Sequence, residues 1–283
     1  MNNNKPFTTK DFAYLHHQGC PLMMRLFMPK GDGPFAVIVD LHGGAWNTGN
    51  LSDCQVRSEV LVKSGFAVAA IDFRQANERY PSSLQDINYA VRWLKVSGAE
   101  YDIDPNRVGI SGQSSGGHLA ALAAMRPDDE RYNQIALDTY GHVDASVVCM
   151  TLEWPVINPY SRYHHALKAL KRPETSEWVG QIPQYHNIYW GDEAAMIEGN
   201  PMLALECGEQ LSTPPALWLQ GGLDIVHDYH DQSFGQTLNE PERFVENYRN
   251  DGGEIEIIHI DQATRSEAPA FENLIPFFKR NLS

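Results

Sequence analysis

The sequence has 283 residues, of which 42% are hydrophobic and 10% aromatic, and its formal net charge is −14. Such a charge argues against nucleic acid and anionic membranes as partners. The four cysteines are widely separated and show no C-x-x-C spacing, which excludes the common zinc and redox motifs. A chain of this length and composition is typical of one globular domain with a large core, so we expect residues 1–283 to form a single domain.

Targeting and membrane segments are not expected. The residues from Met1 to Pro6 include no apolar segment like that of a secretion signal, and no stretch reaches the length of a membrane span. We therefore expect a cytoplasmic protein.

The first part of the chain predicts strands followed by a glycine-rich loop. Residues Phe12 to Met28 indicate two short strands around a turn at Gly19-Cys20-Pro21. Phe35 to Leu41 is a nearly continuous apolar run, typical of a strand buried on both faces. The strand ends at His42-Gly43-Gly44-Ala45-Trp46, whose adjacent glycines leave backbone N–H groups bare, as an oxyanion site requires. A simple loop at the strand exit is the alternative.

Helices and strands then alternate. We expect a helix from Ser52 to Lys63 with Ser52 as its cap, and a strand from Phe66 to Ile71. A helix from Ser83 to Ser97 follows, with a capping box formed by Ser83 and Asp86. The order strand, helix, strand predicts a doubly wound, mostly parallel sheet, whose functional sites lie at the carboxyl ends of the strands.

A strand, a sharp turn and a small-residue helix surround Ser114. The turn is Gly112-Gln113-Ser114-Ser115-Gly116, a G-x-S-x-G sequence between an apolar approach and the helix that begins at His118. This context is typical of a nucleophile elbow, where the serine also faces a helix N-terminus that favours negative charge. The alternative is a glycine-rich turn without chemistry.

The second half predicts further strands around a long insertion. A strand is expected at Ala145 to Met150, and the residues from 152 to 211 lack strand patterns and are rich in aromatic residues and proline. Such an insertion is more often a functional lid than a defect, and most of its aromatic side chains are expected to hold it on the sheet. A strand ending at Gly221 leads to Asp224, a helix from Asp231 to Asn250 is broken by its proline, and a last strand spans Glu254 to Ile260.

These motifs, in this order, resemble the hormone-sensitive-lipase-like carboxylesterases, particularly the acetyl-esterase branch of the α/β-hydrolases. The resemblance implies a single α/β-hydrolase domain over 1–283, with a mostly parallel central sheet flanked by helices and a lid at 152–211. It also implies a serine hydrolase that cleaves a small carboxylic ester through an acyl-enzyme on Ser114, without cofactor or metal. The expected partner is thus a small-molecule substrate, and a homodimer is the candidate assembly. The residues implied for the site are Ser114 and Asp224 as catalytic residues and the backbone N–H groups of Gly44, Ala45 and Ser115 as the oxyanion hole.

The chain departs from the family at the catalytic histidine, because Arg265 occupies the expected position. Arginine stays protonated and has no lone pair that could accept the serine proton. His259 is taken as the general base, and His227 or His230 could reach in from the neighbouring loop instead. Each of these histidines also has a purely structural interpretation.

Arg265 could also form an ion pair with Asp224. Trp46, Arg265 and Trp154 are the predicted substrate contacts. If no base reaches Ser114, the chain would be a non-hydrolytic member of the family. It would then be a ligand-binding pseudoenzyme, or a lyase or cyclase that uses the oxyanion hole.

Overall fold

The structure is a computed structural model that describes residues 6–138, 141–172, 177–222, 227, 229 and 237–283, with the backbone alone at 177 and 178. In this part of the chain eight strands form one sheet in the order β1-β2-β4-β3-β5-β6-β7-β8. β1 pairs with β2, and β2 with β4, in antiparallel fashion, and all other neighbours are parallel. The strands are β1 Phe7–His17, β2 Cys20–Pro29, β3 Phe35–Leu41, β4 Ala67–Ile71, β5 Ile103–Gln113, β6 Met150–Glu153, β7 Ala216–Gly221 and β8 Ile255–Ile260. The predicted mostly parallel sheet is confirmed.

Helices cover both faces of this sheet. They are α1 Gln55–Lys63, α2 Ser82–Ser97, α3 Ser115–Met125, α4 Pro159–Ala169, α5 Glu177–Trp190, α6 Glu193–Glu198, α7 Pro201–Glu206, α8 Glu240–Asn250, α9 Ala268–Glu272 and α10 Leu274–Asn281. Alternate residues of β3 enter two separate cores, because side chains of a strand point to opposite faces. One core contains α2, α3 and α8, and the other contains α1, α9 and α10. Among the described residues, no helix is both long and apolar enough to cross a bilayer.

Two helix starts differ from the sequence prediction. The side chain of Asn50, not that of Ser52, caps the first helical segment, a short 3-10 turn that leads directly into α1. Ser83 and Asp86 do not form a capping box, since both turn to Arg74 instead. The Arg74 guanidinium pairs with the buried Asp86 carboxylate at 2.8 Å, and the Ser83 hydroxyl donates to the Arg74 carbonyl. Arg74, which lies outside the helix, therefore replaces the contact between Ser83 and Asp86 that their spacing predicts.

The insertion between β6 and β7 contains α4 to α7. β6 spans Met150–Glu153, so the strand begins later than predicted and the insertion begins after Glu153. Tyr189 and Trp190 of α5 are buried against the main core, where their rings contact Trp46. These aromatic side chains hold the insertion on the sheet, as predicted, while a lid function stays a prediction.

Candidate active site

Ser114 lies on a strained turn between β5 and α3. Its backbone φ is +53° and its ψ is −120°, a conformation that residues other than glycine rarely adopt. The Ser114 N–H donates to the Glu153 carbonyl at 2.9 Å, and the Ser114 carbonyl accepts from the Val156 N–H at 3.1 Å. A Cβ atom on Gly116 would lie 2.3 Å from the His42 carbonyl oxygen, so only glycine lets α3 approach β3 this closely. The predicted strand, sharp turn and helix are present, and Ser114 is held between the ends of β5 and β6, while its role as nucleophile stays a prediction.

A histidine reaches Ser114 from the segment that follows β7. His227 Nε2 lies 3.1 Å from Ser114 Oγ, and only 7% of His227 is exposed. With its proton on Nδ1, the ring accepts the hydroxyl hydrogen at Nε2, which is the geometry a general base needs. Nearby, the Tyr229 carbonyl accepts from the Glu240 N–H at 3.1 Å and the Tyr229 ring stacks on His165 at 4.1 Å. Tyr229 is thus attached to α8 and α4.

The predicted base lies elsewhere in the structure. The structure brings His227, not His259, to the serine. His259 is exposed on β8 opposite Gln220 of β7, while its neighbours Ile258 and Ile260 pack on the core of the opposite face. Strand alternation therefore directs the His259 side chain away from that core. Asp224 and His230 lie outside the described residues, and so does the proposed ion pair between Asp224 and Arg265.

The loop after β3 lies beside the serine. A Cβ atom on Gly43 would be 3.2 Å from Ser114 Cβ, and a Cβ atom on Gly44, whose φ is +118°, would be 1.9 Å from the Thr48 carbonyl oxygen. The N–H of Thr48 donates to the Gly44 carbonyl at 3.1 Å, which closes the loop into a tight turn. The Asn47 amide donates to the carbonyls of Ala45 and Tyr185, at 2.7 and 2.9 Å, and so joins the loop to the insertion.

The N–H groups implied for the oxyanion hole belong to this loop and to α3. Ser115 is the first residue of α3, where a helix has no internal acceptor for its N–H groups. The use of Gly44, Ala45 and Ser115 as donors to an oxyanion stays a prediction, since the structure shows their backbone positions alone.

A cavity of about 440 Å³ opens over Ser114. Arg265 lines it, with its guanidinium carbon 5.4 Å from the centre of the Trp154 ring, so two of the three predicted substrate contacts, Arg265 and Trp154, lie at this site. Most of the lining is polar, and it consists of Gly43, Gly44, Thr48, Gly49, Asp53, Gln113, Ser114, Trp154, His227, Arg265 and Ser266.

Trp46 requires a correction. Its side chain was predicted to contact substrate, but it is only 1% exposed and lies outside the cavity lining. The Trp46 indole N–H donates to His118 Nδ1 at 3.2 Å, and Trp190 packs against the Trp46 ring at 5.3 Å. Burial lowers the pKa of His118 to about 3, so this histidine stays neutral and accepts the bond. Trp46 is a core residue, and its contacts with His118 and Trp190 hold the end of the loop in place.

Replacing Gly44 by alanine tests the loop. We expect Gly44→Ala to lower kcat by about 10²- to 10³-fold, the loss typical of one missing oxyanion donor, because the new methyl group would displace the turn at Thr48. Gly65→Ala is the matched control, since Gly65 has a similar φ of +100° but open space around it. The measurement is kcat for a short-chain ester together with the melting temperature. Equal kcat in both variants would contradict a role for the loop.

Comparison with known proteins identifies the family. The family model named BD-FAE matches residues 24–187, which is more than half of the chain. The probable carboxylic ester hydrolase LipM of Mycobacterium tuberculosis is 35% identical over 196 residues, which are 69% of this chain and 42% of that protein. The present chain therefore spans less than half of LipM. The ethyl acetate hydrolase of Pseudomonas putida is 31% identical over 231 residues, which are 80% of this chain and 68% of that protein.

Solved structures agree on the fold. Carboxyl esterase 2 from the mycorrhizal fungus Tuber melanosporum superposes with a TM-score of 0.71 at 20% identity, and the match covers 99% of this chain and 89% of that one. At this identity the likeness establishes the α/β-hydrolase architecture and no more. Together with the family match, it means that the chain belongs to the BD-FAE family, among the hormone-sensitive-lipase-like carboxylesterases with the α/β-hydrolase fold.

Proposed function

We propose that this protein is a serine hydrolase that cleaves small carboxylic esters through an acyl-enzyme on Ser114. The distance of 3.1 Å between Ser114 Oγ and His227 Nε2 carries the proposal, because it supplies the base that the sequence lacks at Arg265. The names of LipM and the ethyl acetate hydrolase describe the same class of reaction in two relatives.

The chemistry follows from the positions of these groups. Ser114 Oγ attacks the ester carbonyl while its proton moves to His227 Nε2. The N–H groups of Gly44, Ala45 and Ser115 receive the resulting oxyanion. His227 then returns the proton to the leaving alcohol, and a water molecule activated by the same ring releases the acid. The role of orienting the base, which the family resemblance gives to Asp224, stays a prediction, since Asp224 lies outside the described residues.

The alternative function is a non-hydrolytic one, in which the oxyanion loop binds a ligand or supports a lyase or cyclase. The reason to consider this alternative is that Arg265, at the position of the family's histidine, cannot act as a base. A histidine within hydrogen-bond distance of Ser114 removes this reason and favours hydrolysis.

Active-site titration of the unmodified protein tests the proposal. We expect turnover of p-nitrophenyl acetate, and one equivalent of a fluorophosphonate bound to the peptide that contains Ser114. The phosphonate reports the reactivity of the serine even when the preferred ester is different. If neither turnover nor labelling at Ser114 occurred, the hydrolase proposal would be rejected and a ligand screen would replace the ester panel.

The remaining expectations from the sequence are also proposals. We propose the homodimer, the cytoplasmic location and the lid function of the insertion on the sequence alone. Light scattering of the purified protein and fractionation of cells that express it address the first two.

A further inference from the structure

A buried charged cluster lies beneath the site and takes no part in the steps described above. It consists of Arg57 of α1, Asp40 of β3 and Glu153 of β6, which are 1%, 0% and 0% exposed. Burying charged groups is costly unless they are paired and fully hydrogen-bonded, so an arrangement of this kind calls for an explanation.

The Arg57 guanidinium joins the ends of three strands. Its Nε donates to Asp40 Oδ1 at 2.6 Å, and its Nη2 donates to the Leu41 carbonyl at 2.8 Å, both on β3. Its Nη1 donates to Glu153 Oε2 on β6 at 2.8 Å and to Gln113 Oε1 on β5 at 3.3 Å. The planar fork of an arginine can satisfy all of these acceptors at once, whereas the point charge of a lysine cannot.

The carboxylates of the cluster are held from their other sides as well. The Ser58 hydroxyl donates to Asp40 Oδ2 at 2.7 Å, and the Ser111 hydroxyl donates to Glu153 at 3.2 Å. Burial raises the pKa of Glu153 to about 7, although the charge of Arg57 opposes this. Glutamine has nearly the same size and keeps an oxygen that can accept from Arg57, so Glu153→Gln is the smallest change to this carboxylate.

Each of the three strand ends carries part of the proposed site. Leu41 is followed directly by the loop with Gly44, and Gln113 is followed directly by Ser114. The backbone carbonyl of Glu153 accepts the Ser114 N–H at 2.9 Å. One side chain thus links the loop of the oxyanion hole, the nucleophile and the strand that holds the nucleophile.

The cluster also contacts the wall of the cavity. The Arg57 guanidinium lies 5.7 Å from the Phe271 ring centre, and the Phe271 ring lies 5.9 Å from that of Trp154. The guanidinium carbon of Arg265 lies 5.4 Å from the centre of the Trp154 ring. A cation, two aromatic rings and a second cation therefore follow one another from the cluster to the cavity.

We propose that Arg57 is a positioning residue, which fixes the separation between the oxyanion loop and Ser114 through its bonds to Asp40 and Glu153. The inference rests on the proposed hydrolase function. Its physical basis is that a misplacement of about 1 Å between reacting groups can cost on the order of 10²-fold in rate.

The test compares Arg57→Lys with Arg126→Lys. Arg126 is also a buried arginine, paired with Glu209 at 2.6 Å, but it follows the end of α3, about 18 Å along the helix from Ser114. We expect Arg57→Lys to lower kcat for p-nitrophenyl acetate by about 10- to 100-fold with little change in KM. Arg126→Lys should keep kcat within about twofold of the unmodified protein, because it removes a similar fork without touching the strand ends.

Hydrogen–deuterium exchange separates this inference from the proposed function. In Arg57→Lys, the amides of residues 41–48 and 111–116 should exchange faster than in Arg126→Lys, whether or not any ester is cleaved. Unchanged exchange at these segments, or an unchanged kcat in an active enzyme, would overturn the positioning role while the hydrolase function stands. If Arg57→Lys fails to fold, Glu153→Gln provides the milder variant, and it should lower kcat in the same direction.

Discussion

The substitution Ser114→Ala is expected to lower kcat/KM for p-nitrophenyl acetate by about 10⁴- to 10⁶-fold, as removal of the nucleophile does in serine hydrolases. The Ser114 hydroxyl is the group that faces His227 Nε2 at 3.1 Å, so its loss leaves the base without a proton to accept. Stability should change little, because the φ of +53° strains alanine and serine alike. Steady-state kinetics and a thermal melt on the same preparation measure both quantities.

Ser115→Ala is the matched control for this experiment. Ser115 is the next residue, is buried, and provides its backbone N–H to the predicted oxyanion hole, which alanine preserves. We expect its kcat/KM to stay within a few-fold of the unmodified protein. Retained turnover in Ser114→Ala would assign the nucleophile to another residue and would contradict the proposed acyl-enzyme.

The fold and the sharp turn at Ser114 follow from signals that are local in the sequence. The buried strand from Phe35 to Leu41 and the G-x-S-x-G turn at Ser114 each lie within about ten residues, and the structure has both. A turn of this kind fixes its own geometry, because a Cβ atom on Gly112 or Gly116 would collide with neighbouring backbone.

The partners of these local motifs are less accessible to sequence analysis. The S-x-x-D spacing of Ser83 and Asp86 predicts a capping box, but in the structure both side chains bind Arg74 instead. Trp46 ends the loop for which the sequence predicts an oxyanion site, yet the aromatic residues of the insertion bury it. In both cases the deciding contact comes from another element of the fold, which a local pattern does not contain.

The position of the proposed base, His227, also depends on the arrangement of other elements of the fold. Chain order puts the family's histidine after β8, so His259 was the first candidate and His227 an alternative. Both β7 and β8 end at the same edge of the sheet, and β7 is the closer of the two to the elbow at the end of β5. A residue that follows β7 therefore starts nearer to Ser114 than one that follows β8. This difference depends on the strand order of the folded sheet, which the sequence alone does not show.

Replacing His227 by alanine is expected to lower kcat/KM by about 10⁴-fold, whereas His259→Ala should retain nearly full activity. His227 contacts Ser114 Oγ in the cavity, while His259 is exposed on β8. Removing the His227 ring enlarges the cavity beside Ser114, so added imidazole should restore part of the turnover of this variant in a concentration-dependent way. A loss that appears in His259→Ala instead would return the general base to the last strand. Full activity in both variants would mean that neither histidine accepts the serine proton.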